Sequence, residues 1–404
     1  MPLSSRRRTN TILKVVKMKS IFRLTLLLSV LLVAQVYGQV KPRLIVGAEQ
    51  VNSYVPKIRD KRVAVYANNT ALVGNVHLVD ILVSMKVNVV KILSPEHGFR
   101  GDVPDGDEVA DSKDERTGIP IVSIYGDKNK KPTPEQLADV DVVVFDIQDV
   151  GCRFYTYISS LHYLMEACAE NNKKLFVLDR PNPNGFVDGP ILQTENKSFV
   201  GMHPVPIAHG CTIGEYAKMI NGEGWLEGRK KADLEVVQLI GYTHRDTVSL
   251  PVKPSPNLPN DHAIALYPSI CLFEGTALSV GRGTQNPFEF IGHPSLKNQP
   301  FEFTPVSIPT MSAKPKLENQ LCHGIDLRGV KAERRIMLNY LIDMYNQFPE
   351  KDKFFIAYID KLSGYKEFKE QIRKGMTEEQ IRETWKDGLA KYKETRKKYV
   401  IYPD

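Results

Sequence analysis

Val142-Val143-Val144-Phe145-Asp146-Ile147-Gln148-Asp149-Val150-Gly151-Cys152-Arg153-Phe154-Tyr155 opens as an unbroken apolar run and closes on carboxylates, an amide, an arginine and a tyrosine. A short apolar run without polar alternation reads as a strand buried on both faces, the form strands take in a parallel sheet covered by helices. The polar residues then leave the carboxyl end of that strand, the edge at which open α/β sheets bind ligands.

The pattern repeats on either side. Toward the N-terminus stand a strand over Val63 to Ala67, a helix over Val76 to Met85, and an apolar run ending at Leu93 that delivers Ser94-Pro95-Glu96-His97-Gly98-Phe99-Arg100-Gly101. A strand over Ile119 to Tyr125 follows, then a helix opening Thr133-Pro134-Glu135-Gln136, with Thr as the cap and Pro in the first turn. Toward the C-terminus come a helix from about Tyr155 to Glu170, a strand over Leu175 to Leu178 that runs into Asp179-Arg180-Pro181-Asn182-Pro183-Asn184-Gly185, a helix opening on the capping box Thr212 to Glu215, and a strand over Leu234 to Ile240. Such alternation predicts an α/β fold, a Rossmann-like doubly wound, mainly parallel sheet over residues 39–249. Asn68-Asn69-Thr70 follows the first strand in place of G-x-G-x-x-G, and no G-x-x-x-x-G-K-[ST] occurs, so neither a dinucleotide nor a P-loop cofactor is expected. Pro251, Pro254, Pro256 and Pro259 break helix and central strand alike and mark a connector into a second, smaller α+β domain, residues 250–404. The last segment shows Ile381, Trp385, Leu389 and Tyr392 at helical spacing after a capping box at Thr377 to Gln380.

Residues 1–38 read as an export signal: a basic start, an apolar core from Leu24 to Val33 shorter than the roughly 20 residues of a transmembrane span, then Val36-Tyr37-Gly38, with Met18 as an alternative start. The expected location is therefore periplasmic or secreted, with no stable membrane insertion after cleavage. Seven of the 54 Lys and Arg residues lie in this segment and none of the 47 Asp and Glu, which leaves 47 of each in the rest. The excess of +7 belongs to the leader, and nothing points to a nucleic-acid partner. Cys152, Cys168, Cys211, Cys271 and Cys322 are odd in number and widely spaced, and read as small buried residues.

Three strand ends, after Leu93, Phe145 and Leu178, put carboxylates on one sheet edge, and two carboxyl groups across a cleft are the equipment of glycoside hydrolysis. Glu96, between apolar Pro95 and Phe99, suits a general acid whose pKa is raised by desolvation. Asp146, Asp149 and Tyr155 are candidates for the second role, with helix capping and packing as their ordinary alternatives. His97 is a neighbour without an assigned role. Glu274-Gly275-Thr276 adds a further carboxylate, and in Gly281-Arg282-Gly283-Thr284 the flanking glycines would let the backbone approach a ligand while Arg282 pairs with a carboxylate. The acidic run Asp102 to Glu115 lacks calcium-loop spacing and reads as a surface loop or lid. His97, His162, His203 and His209 form no H-E-x-x-H pair, so no metal is expected; the serine elbow G-x-S-x-G is absent, and Cys211 precedes a capped helix and reads as packing.

Ser94-Pro95-Glu96-His97-Gly98, D-I-Q-D-V-G-C-R-F-Y-T-Y over Asp146 to Tyr157, Asp179-Arg180-Pro181-Asn182-Pro183, Pro254-Ser255-Pro256-Asn257-Leu258-Pro259 and Glu274 through Gly281-Arg282-Gly283-Thr284 to Phe288 follow in the order found in the NamZ-type exo-β-N-acetylmuramidases, which this sequence resembles over nearly its whole length after the leader. The resemblance implies a Rossmann-like catalytic domain with a smaller C-terminal domain, a site between them, and release of N-acetylmuramic acid from the non-reducing ends of peptidoglycan chains, with Glu96 as the catalytic carboxyl. It gives Arg153, Arg180 and Arg282 a purpose, since that sugar carries a lactyl carboxylate. On this reading Glu96, Asp146 and Tyr155 are catalytic, and His97, Asp149, Arg153, Arg180, Asn182, Glu274, Arg282 and Thr284 bind substrate. The sequence departs from the family at Ala277-Leu278-Ser279-Val280, where more polar residues are expected.

Overall fold

In the computed structural model, which describes residues 42–95, 98–99, 111–124 and 130–404, every residue of strands β1 (Val63–Ala67) and β5 (Val142–Asp146) is buried. Their side chains alternate between two cores. Ala64, Tyr66, Val143, Phe145, Leu175 and Val177 enter the core on one face, and Val63, Val65, Val142, Val144, Phe176 and Leu178 the core on the other. This period of two explains why the apolar runs carry no polar residues: both faces are covered.

The central sheet adds β2 (Val89–Ser94), β3 (Ser112–Lys113), β4 (Pro120–Ser123), β6 (Lys174–Leu178) and β7 (Asp233–Val237). Its seven strands lie in the order β7-β6-β5-β1-β2-β4-β3, all neighbours parallel except β3 against β4. The order reverses between β1 and β5, the switch point at which a crevice opens beyond the strand ends. Tyr66 pairs with Leu93 on one side and Phe145 on the other, so the loops after β2, β1 and β5 leave one edge in register. Two of them are tied together across the switch point: Asn68 Nδ2 donates to Tyr157 Oη at 2.7 Å, and the Gln148 amide donates to Thr70 Oγ1 at 3.0 Å.

Helices Val51–Ile58 and Leu78–Ser84 cover one face, and Tyr157–Glu170 and Ile213–Glu223 the other. Both capping boxes expected from the sequence form, at Thr212 and Thr377, and the cap expected at Thr133 proves to be a capping box as well. The helix expected over Val76 to Met85 begins later, at Leu78, because Val76–His77 pairs with Leu72–Val73 as a hairpin. The core on the second face continues without a break into the C-terminal part, whose Tyr267, Phe273, Phe354 and Trp385 belong to it, and residues Ile45–Asp404 form one compact unit. That smaller part has a three-stranded antiparallel sheet, Phe290–His293 and Phe301–Phe303 on either side of Cys322–Asp326, and helices that end with the long Glu378–Lys397.

The helix Asp261–Ile270 contains Pro268, which has no N–H for the carbonyl of Ile264 four residues back. Asn184 Nδ2 donates to that carbonyl at 3.0 Å and to Val150 O at 2.9 Å. One amide from the loop after β6 thus repairs the helix and fastens it to the loop after β5. Among the described residues no helix is long and apolar enough to cross a membrane.

Candidate active site

The loop after β5 turns sharply at Gly151, whose φ is +79°; a Cβ there would lie 2.1 Å from Asn182 Oδ1, so only glycine lets these two loops touch. The turn carries Phe154, Tyr155, Thr156 and Tyr157 onto the wall of a cavity of about 520 Å³. Opposite them stand Tyr267, Glu274, Leu278, Ser279, Val280, Arg282, Phe288, Lys316 and Tyr358 from the C-terminal part. Walls of rings with a few ionic groups suit a sugar, whose faces are apolar and whose rim is polar.

Three of the residues chosen from sequence meet there. Tyr155 lines the cavity and donates from its hydroxyl to Pro254 O at 2.6 Å. Glu274 Oε1 accepts from Arg282 Nε at 2.6 Å, and the Arg282 guanidinium lies 5.1 Å from the centre of the Phe288 ring. Thr284 serves the turn below them, donating to Gly281 O and accepting from the Asn286 amide. Gly283 admits protein rather than ligand: a Cβ there would lie 2.6 Å from Pro315 Cγ, so the segment carrying Pro315 and Lys316 docks on it. Leu278, Ser279 and Val280 line the cavity, which accounts for the apolar character of that stretch.

Other candidates lie behind the wall. Asp146, at the end of β5, is fully buried and held by both arms of Arg180, at 2.5 and 2.8 Å; Arg180 also donates to Leu72 O. Asp149 Oδ2 accepts from the Gly151 amide at 2.7 Å and lies 3.7 Å from His209 Nε2, as expected of a turn-closing carboxylate. Asn182 bridges to Cys211 O and to the Asn184 amide. Arg153 is wholly buried and donates to Pro190 O, Val205 O, Leu362 O and Ser363 O at 2.6–2.9 Å, so its guanidinium is a structural staple and does not line the cavity; burial pushes its pKa down to about 9. Ser94, two residues before Glu96, ends β2 on the same sheet edge. Glu96 and His97 lie outside the described residues, as do 102–110 of the acidic run and the whole leader.

His203 and His162 bond to each other at 2.9 Å, and His203 also meets Tyr216 Oη at 3.0 Å while stacking on Trp225. Burial lowers both imidazole pKa values, that of His162 to about 4. Glu166, Glu170 and Glu227 converge closely enough to share a cation, but Lys131 Nζ already stands 2.8 and 2.7 Å from the first two. Lys316 was invisible to sequence reasoning. Its Nζ donates to Thr276 O at 2.6 Å and Glu274 O at 3.3 Å beside the cavity, and nothing in Ala313-Lys314-Pro315-Lys316 marks it.

Fold and cavity together define a doubly wound α/β protein with a cavity lined by the loop after β5 and by the smaller C-terminal part. Comparison with known proteins narrows the class. The family models for the N-terminal and C-terminal parts of the exo-beta-N-acetylmuramidase NamZ match residues 63–262 and 265–402. The peptidoglycan beta-N-acetylmuramidase NamZ of Bacillus subtilis (strain 168) is 39% identical over 392 residues, 90% of this chain and 92% of that one. Two DUF1343 family proteins of Bacteroides fragilis NCTC 9343, known from crystal structures, share the fold: one at TM-score 0.84 and 45% identity over 90% of this chain and 100% of its own, the other at 0.76 and 30% over 89% and 100%. This chain belongs to the exo-β-N-acetylmuramidase NamZ family.

Proposed function

We propose that this protein is an exo-acting glycoside hydrolase that releases N-acetylmuramic acid from the non-reducing ends of peptidoglycan fragments. The observation that carries the reading is the match of both halves of the chain to one family, together with a sugar-sized cavity formed where those halves meet. Hydrolysis of a glycoside needs a proton for the departing oxygen and a polar group at the developing positive centre. Glu96, two residues beyond the end of β2, is assigned the proton donor; Tyr155 is assigned to the cavity side of the sugar, and Asp146 and Arg180 to holding the β5 edge beneath it. Removal of the leader, residues 1–38, places the activity outside the cytoplasm, in the periplasm or beyond; N-terminal sequencing of exported protein checks the cleavage point.

The test is a MurNAc-GlcNAc disaccharide. Wild type releases N-acetylmuramic acid, and Glu96→Gln loses at least about a thousandfold in kcat while its unfolding curve is unchanged, as expected for loss of an acid together with its electrostatic role. Turnover by Glu96→Gln at the wild-type rate removes the assignment; saturable binding by wild type without any turnover removes the enzyme.

A further inference from the structure

Among the described residues the cavity wall has three charged side chains, Glu274, Arg282 and Lys316. Glu274 and Arg282 neutralise each other at 2.6 Å. Lys316 leaves one positive charge over. Its ammonium has three protons. Two are taken by Thr276 O and Glu274 O, and no described residue accepts the third.

The placement is built. Pro315 seats on Gly283, the Val306 amide donates to Gly283 O at 2.9 Å, and Lys316 Nζ turns in to the strip that begins at Glu274. Just beyond it, Leu317 and Asn319 have φ of +62° and +59°, a backbone region that L side chains seldom adopt and that persists where the surroundings enforce it. The Asn319 amide is held by Pro305 O and the Gln320 amide by Leu317 O, so the turn is fixed on both sides. Desolvation lowers the pKa of Lys316, with the nearby Arg282 adding to that and Glu274 opposing it, so an anion arriving in the cavity would find an ammonium short of solvent.

We infer that Lys316 is the specificity-determining residue of the cavity, reading the single carboxylate that distinguishes a 3-O-lactyl sugar from its neutral counterpart. The inference rests on the muramidase reading and deepens it. Among its described residues the wall carries one more positive charge than negative, which complements a sugar with one negative charge. A neutral sugar in the same place would offer the third Lys316 proton no charged acceptor, and this is how a polar site rejects the analogue that lacks the partner group. Arg282 is assigned the supporting role: fixed by Glu274 and by the Phe288 ring, it shapes the wall and keeps Glu274 from cancelling Lys316.

The experiment measures kcat/KM on MurNAc-GlcNAc and on the same disaccharide with the lactyl group as its methyl ester, for wild type, Lys316→Met and Lys316→Arg. The acid-over-ester ratio falls about 10- to 100-fold in Lys316→Met, the size of one lost charge-assisted hydrogen bond, mostly through KM, and Lys316→Arg restores part of it. An unchanged ratio overturns the inference. So does an equal fall on both substrates, since that marks a general injury to the wall. Urea unfolding of each variant separates lost folding from lost recognition. Wild type inactive on both substrates would instead strike the muramidase reading itself.

Discussion

Arg153 and Lys316 both donate to main-chain carbonyls, and their surroundings make one structural and the other available. Arg153 satisfies four carbonyls, two of them at the end of the helix Tyr358–Ser363, where a cation also meets the negative end of the helix dipole. Arg153→Met therefore removes a donor from four buried carbonyls, of which Val205 O keeps the Leu192 amide, and lowers stability by about 3–5 kcal/mol, read as a drop in the urea midpoint. An effect on KM in place of the midpoint would return Arg153 to the substrate. The sequence showed that the R-F-Y stretch was polar at a strand end, but not which arginine was committed. The acceptors of Arg153 lie 37, 52, 209 and 210 residues away, beyond the reach of any local signal. Arg282 was legible because glycines bracket it; Lys316 was not, since its role depends on Pro315 finding Gly283 across the fold.

Helix Tyr157–Glu170 carries His162 on the face that meets His203, with Glu166, Lys131 and Lys197 also near it and Tyr216, Trp225 and His209 around the second ring. Both rings are neutral in the folded protein at neutral pH, whereas an unfolded histidine binds a proton near pH 6.5. Between that value and about 4 the unfolded chain holds more protons than the folded one, so stability falls as pH drops through this window. His203→Gln should raise the urea midpoint at pH 5 relative to that at pH 7.5, compared with wild type; a difference between the two pH values unchanged by the substitution would assign it to other groups. At this scale the sequence was most readable. Strands with continuous apolar runs and helices with capping boxes are specified by neighbours within four residues, and β1 falls where the pattern puts it. The helix Asp261–Ile270 was not anticipated, because Pro268 argues against it locally and Asn184, which repairs it, is 80 residues distant.

Over the whole molecule, the chain's last residues return to the central sheet. Tyr402 Oη donates to Asp179 Oδ2 at 2.5 Å and accepts from the Leu239 amide at 2.8 Å, while Glu215 accepts from the Ile401 and Tyr402 amides and meets His244 Nε2 at 3.0 Å. Burial raises the Asp179 carboxyl to about 7, against bonds from Tyr402, Gly214 and Thr212 that favour its charged form. A carboxyl with a raised folded pKa contributes stability at low pH and loses it as pH climbs from about 4 through 7. Tyr402→Phe removes one of the bonds to the carboxylate, so it should destabilise the protein by about 2 kcal/mol and carry the loss to higher pH; a midpoint-against-pH curve parallel to wild type would contradict this. Nothing in Tyr399-Val400-Ile401-Tyr402 announced the attachment, since its partners lie 163 to 223 residues earlier. The same attachment sets an order of events. Two acids, at 179 and 215, lack their full set of donors until residues 401 and 402 exist, so a growing chain cannot complete this part of the core before then. A polypeptide that waits in this way stays open along its length until residues near 400 have been made.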